Sequence, residues 1–359
     1  MACNTFKIFI AFHGLNGRIP DEIRYLESLE ILVLQYNPAL GGDLPSAIGT
    51  LKDLRILSIE HCSLTGNVPD WIGNMTSLTS LGLSNNRLTG AVPSSIRKLT
   101  NLVSLQLDDN FLSGDLELFG ALSNLNFLYL DNNRFEGKLT DSLLLEWGAM
   151  KELDLSENML TSTIPEDTFS HSTLEVLDLH ANRFTGTLPV VKVEKNERLK
   201  FLALQENQLN YEIPTSIAYL RSLQYLDLSM NDFWSTIPPS IEEMTNLQYL
   251  FLGENPIRPG EFPEFLKSLK SLQELSLKDI GMRGTIPGGI GYFTSLKYLD
   301  LGENDLSGSL PDTLGLLSNL DHLLLRRNQL TGELPDELDL LSNLGKLSDE
   351  VYDRAFSLN

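Results

Sequence analysis

Cysteine is scarce in this chain: the 359 residues hold two, Cys3 and Cys62. Two are too few for a disulfide framework, so the fold has to stand on an apolar core. Basic residues are also in deficit, 27 Lys and Arg against 48 Asp and Glu, for a formal charge of −21. Nucleic acid and anionic membrane both need a basic patch, so they are disfavoured as partners, and basic protein surfaces are favoured. Long apolar runs are missing as well. The nearest, Phe6 to Phe12, is broken by Lys7 and falls far short of the ~20 residues of a spanning helix. No membrane span is expected, and no secretory signal, because Phe6 to Phe12 reads as a strand. Catalytic patterns are absent too: His13, His61, His171, His180 and His322 are scattered, with no nucleophile elbow, zinc spacing or phosphate loop. The sequence therefore predicts no enzyme, no metal and no cofactor.

What the chain does have is a repeat, clearest from Leu296 to Pro311, LKYLDLGENDLSGSLP. A strand alternates its faces, so Leu299 and Leu301 point inward while Tyr298, Asp300 and Gly302 point to solvent. Asn304 follows where the chain leaves the strand, and its amide can serve turn backbone that has no sheet partner. The same position recurs at His13, Asn37, Cys62, Asn86, Asn110, Asn133, Asn158, Asn182, Asn207, Asn231, Asn255, Ile280, Asn304 and Asn328, at spacings of 23 to 25 residues. Such a column predicts a buried asparagine ladder. After it comes Leu-x-Gly-x-Ile/Leu/Val-Pro, as in Leu64 to Pro69 and Leu330 to Pro335. Two coils lack the proline, showing Glu117 and Thr140, and Ser162, Tyr211 and Ser235 replace the glycine in three others.

Length alone would suggest two or three globular domains. The repeat overrides that, because each coil buries its leucines only against its neighbours. The expected fold is an α/β solenoid, a right-handed superhelix of about 14 coils over residues 1–347, with a parallel β-sheet on its concave side and irregular or short helical segments on its convex side. The first coil is expected to lack an N-terminal cap. Residues 348–359 are expected to form a short helical C-terminal cap, begun by Ser348.

The LxxLxLxxNxLxGxIP pattern resembles the plant-type extracellular leucine-rich repeat family, carried by receptor-like protein and receptor-kinase ectodomains and by polygalacturonase-inhibiting proteins. The resemblance covers the whole chain. It implies a ligand-recognition module, extracellular or at the cell surface, binding a peptide or protein on its concave face. Two alternatives stay open: a secreted inhibitor of cell-wall-degrading enzymes, and a structural protein of a cell wall or ice surface.

Of the solvent-facing positions one, two, four and six before each ladder residue, fifteen are acidic, and only Lys7, Lys278, Arg326 and Arg327 are basic. Such a face steers cationic partners. Aromatics join the acids in mid-chain, so the ligand site is predicted at Phe127, Tyr129, Asp131, Asp154, Asp178, His180, Phe201, Glu206, Tyr225, Asp227, Tyr249 and Phe251, and its ligand is expected to carry a basic segment. The aspartates and tyrosines of LxYLDL also have a scaffold explanation, since they are common decoration of the repeat.

Overall fold

The computed structural model describes residues 6–192 and 198–341, so the expected C-terminal cap lies outside the described residues. Two compact units emerge. One comprises Met1–Pro165 with His171–Arg183, the other Glu166–Ser170 with Phe184–Asn359.

In the first unit eight strands run parallel, Phe6–Ala11, Leu29–Gln35, Ile56–Ser58, Ser80–Gly82, Ser104–Gln106, Phe127–Tyr129, Glu152–Asp154 and Val176–Asp178. Their central residues stand in register, Leu57, Leu81, Leu105, Leu128, Leu153 and Leu177, all without solvent exposure. The second unit repeats the design with six strands, Phe201–Ala203, Tyr225–Asp227, Tyr249–Phe251, Glu274–Ser276, Tyr298–Asp300 and His322–Leu324. Here Leu202, Leu226, Leu250, Leu275 and Leu299 form the buried row. Each such leucine contributes roughly 1.5–3 kcal/mol by leaving water. Both units are α/β solenoids of the expected kind, and their inner strands number fourteen.

The ladder is present and its bonding is regular. Asn86 donates through Nδ2 to the carbonyls of Ile59, Leu83 and Ser84 at 2.7, 3.0 and 3.1 Å, and its Oδ1 accepts from the Leu64 amide at 3.0 Å. Asn110, Asn158, Asn182, Asn231 and Asn304 do the same in their coils. The two departures in mid-chain share a cause. Cys62 and Ile280 cannot accept the preceding coil's amide as asparagine does, and there the amides of Leu40 and Ile257 close back on their own ladder carbonyls, Asn37 at 2.9 Å and Asn255 at 2.7 Å. Each of those coils carries Asn-Pro, Asn37-Pro38 and Asn255-Pro256, where proline supplies a turn-ready φ and removes a competing donor. Cys62 is buried, donates to Leu34 O at 3.2 Å, and has its thiol pKa pushed up by burial.

Convex segments are mostly single 3-10 turns, nine of them opened by a repeat proline, which is in extended conformation in all but Pro263. The coils without proline use side-chain caps instead. Asp115 accepts from the Glu117 amide at 3.0 Å, and Thr140 from the Leu143 amide at 3.3 Å, opening the α-helix Asp141–Glu146. That helix seats Trp147, fully buried, whose Nε1 donates to Phe119 O at 3.1 Å.

Candidate functional site

On the first unit, alternation turns Phe127, Tyr129, Asp131, Asp154, Asp178 and His180 to one sheet face, each part-buried. Tyr129 and Asp154 are register partners, as are Asp154 and Asp178. The Tyr129 hydroxyl donates to Glu152, and burial with that carboxylate raises its pKa. Burial, then the charges of Asp154 and Asp108, pushes Asp131 up to about 8. Asp154 rises to about 6 through burial and the Asp178 charge, although Ser156 donates to it by amide (3.0 Å) and hydroxyl (2.7 Å). Asp178 lies 2.7 Å from Nδ1 of His180, and this contact lifts the imidazole pKa to about 8. Glu157 stands 3.7 Å from its Nε2. His180 is thus a cationic group set among several carboxylates, and the face favours a further positive charge. At the unit's first strands Phe12, Tyr36 and His61 stack at 4.2 Å centroid spacing, beside a cavity of about 470 Å³.

The second unit holds the other half of the predicted set. Phe201 stacks on Tyr225 at 4.3 Å and 13°, and Tyr225 meets Tyr249 and Phe251 at 5.7 Å each. The rings pack together, which lowers the cost of leaving aromatics on an open face. Asp227 is only 8% exposed and accepts from the Ser229 amide at 2.9 Å and hydroxyl at 2.6 Å. Asp300 does likewise for the Gly302 amide at 2.9 Å. This repeated geometry, seen also at Asp154, makes the aspartate of YLDL a brace for its own turn, as the scaffold explanation expects. Glu206 is exposed, one residue before the ladder, at a φ of 55°.

Next to the ring cluster opens a cavity of about 440 Å³ lined by Tyr225, Asp227, Phe251, Lys278, Tyr298 and Arg326 among others. Lys278 reaches Glu254 at 2.6 Å and Glu303 at 3.4 Å, while Arg327 bonds Glu303 at 2.9 Å. The hydrogen bond to Glu254 raises the Lys278 pKa. The basic end of the face is therefore internally neutralised.

Leucine-rich repeat family models match residues 12–166 and 150–285, and again 295–317 and 319–341. The chain belongs to the leucine-rich repeat family. Its repeat is of the plant extracellular type. Among solved structures it is similar to the PEPR1–AtPEP1 complex, at 29% identity and a TM-score of 0.81 over 94% of this chain and 50% of that one. It is also similar to the Arabidopsis receptor kinase HAESA, solved with the peptide hormone IDA and the co-receptor SERK1, at 31% identity, a TM-score of 0.75, and 92% and 59% coverage. A Leptospira interrogans leucine-rich repeat protein matches at 32% identity, with a TM-score of 0.75 and 95% and 83% coverage. The chain spans about half of the PEPR1 chain and three-fifths of the HAESA chain.

Within this leucine-rich repeat frame, Lys278, Tyr298, Asp300 and Arg326 join Tyr225, Asp227 and Phe251 around one cavity. The predicted site omits those four. Their signal was available in the sequence, because each sits two, four or six residues before a ladder position, as the chosen residues do. No helix among the described residues is long and apolar enough to cross a membrane.

Proposed function

We propose that this chain is the ligand-recognition part of a receptor-like protein at the cell surface, binding a peptide or protein with a basic segment on the concave face of its long sheet. The observation that carries the reading is the ring cluster Phe201, Tyr225, Tyr249 and Phe251, which offers packed aromatic area beside the cavity that Asp227 and Asp300 line. Packed aromatics give contact area at low entropic cost, and carboxylates on the same face select positive charge. On the first unit, Asp154 and Asp178 add the same electrostatic preference. HAESA, a structural relative, is a receptor kinase solved with a peptide hormone, which supports a peptide as the ligand class and an extracellular setting.

Selection from a displayed random peptide library against the purified chain tests this. Lysine- and arginine-rich sequences are expected to be enriched. For a synthetic peptide of the winning sequence, Tyr225→Ala and Phe251→Ala should each weaken binding by on the order of 1–2 kcal/mol, and binding should fall with added salt. Enrichment of acidic sequences, or full affinity in the double variant, would reject the reading.

A further inference from the structure

On the lateral side of the second unit, short strands follow most ladder residues, among them Gln208–Tyr211 and Asp232–Phe233, paired in parallel. Three residues after the ladder the repeat usually places a small polar side chain, as at Thr65, Thr89, Thr161, Thr185 and Thr331. Trp234 takes that place in one coil. Four residues after it comes glycine in a left-handed conformation, φ 81° at Gly186, 83° at Gly284 and 77° at Gly308. Tyr211 occupies that place at φ 71°. A bulky residue there carries backbone strain that glycine would not incur.

The two substitutions meet. Tyr211 and Trp234 have ring centroids 6.3 Å apart at 57°, and the Trp234 amide donates to Tyr211 O at 3.1 Å. Tyr211 is 53% and Trp234 56% exposed, so Tyr211 does not repay its strain, nor either ring its water contact, by burial. Gln208, Asp232 and Arg258, all exposed, supply hydrogen-bonding groups in the adjoining strands and turn.

We propose that Tyr211 and Trp234 form a platform for a neutral saccharide, independent of the concave peptide site. A pyranose ring presents an apolar C–H face and a rim of hydroxyls, which matches an aromatic surface edged by amide, carboxylate and guanidinium groups. A protein partner fits less well, because a stable interface buries about 800 Å² on each side around an apolar core, and this strip offers two rings in a polar setting. An acidic glycan is disfavoured by the chain's charge of −21.

Tryptophan emission of the full chain, titrated with cellohexaose, mannohexaose and xylohexaose, tests the proposal. At least one hexasaccharide is expected to shift the spectrum, since Trp234 is far more exposed than the buried Trp147. By calorimetry, Trp234→Ala should weaken that binding tenfold or more. Tyr211→Gly should weaken it similarly while raising the unfolding midpoint, a pairing that simple misfolding cannot produce. Absence of binding for all three sugars, or unchanged affinity in Trp234→Ala, would overturn the platform. So would a Trp234→Ala variant that alters only self-association in sedimentation, which would mark a protein contact instead.

Discussion

Replacing Asn231 by alanine is expected to lower stability by about 1–3 kcal/mol, read as a drop in urea midpoint with little change in slope. The side chain is 6% exposed and makes four hydrogen bonds: to the carbonyls of Leu204 (2.9 Å), Leu228 (3.2 Å) and Ser229 (3.0 Å), and from the Leu209 amide (3.0 Å). Alanine leaves the buried Leu209 amide without its acceptor and takes one donor each from the carbonyls of Leu204, Leu228 and Ser229, which keep Asn207, Asn255 and the Glu206 amide; the cost of the unsatisfied amide exceeds the net worth of the bond it loses. Asn231→Asp should do no better, because it keeps the acceptor but removes the donors and adds a buried charge. An unchanged midpoint would refute the ladder as a stabilising device.

The second large effect concerns pH. Asp131 has its folded pKa pushed up to about 8 by burial and then by the charges of Asp154 and Asp108, against about 4 in an unfolded chain. A raised pKa means that the folded state resists ionisation, so its relative stability is full below pH ~4 and is lost as pH rises through 8. His180, raised from about 6.5 to about 8 by Asp178, moves the same way, stabilising below 6.5 and losing that contribution through 8. Asp131→Asn is therefore expected to stabilise the protein by about 2 kcal/mol at pH 9, well below the full shift because the face stays partly wet, and hardly at all at pH 4.5. Urea midpoints of both proteins at the two pH values decide it. A gap that does not depend on pH would show that Asp131 is not held in its acid form. In the same physics lies a link to ligand binding: a cationic segment that ionises Asp131 would release a proton.

The fold was legible because its main determinant is one-dimensional. Ladder spacing and the leucine row locate the fourteen inner strands without any knowledge of contacts between distant residues. Caps were less legible. Thr140 stood out as a missing proline, yet only its bond to the Leu143 amide shows that a helix replaces the 3-10 turn. Cys62 and Ile280 looked like defects in the ladder, and the compensating Asn-Pro pairs lie one coil earlier, beyond the window in which a local motif is read. For the candidate site, alternation gives the face that each side chain joins but not how deeply it sits. Asp227 and Glu206 both belong to the acidic set, and the first is 8% exposed and braces a turn while the second stands in solvent. The neutralised end around Lys278 and Glu303 depends on side-chain reach across adjacent strands, which no single coil reveals.

Direction is built into the ladder. Asn86 serves the amide of Leu64, Asn110 that of Leu88, and Asn231 that of Leu209, each 22 residues earlier and none later. A coil emerging from the ribosome thus keeps this amide unserved until the next asparagine arrives, about one repeat behind synthesis, together with strand amides such as those of Leu83 and Asn85 that pair with the next coil. Assembly from the N-terminal end moves that open edge along with the growing chain, whereas assembly from the other end would meet each asparagine before the backbone it is shaped to hold.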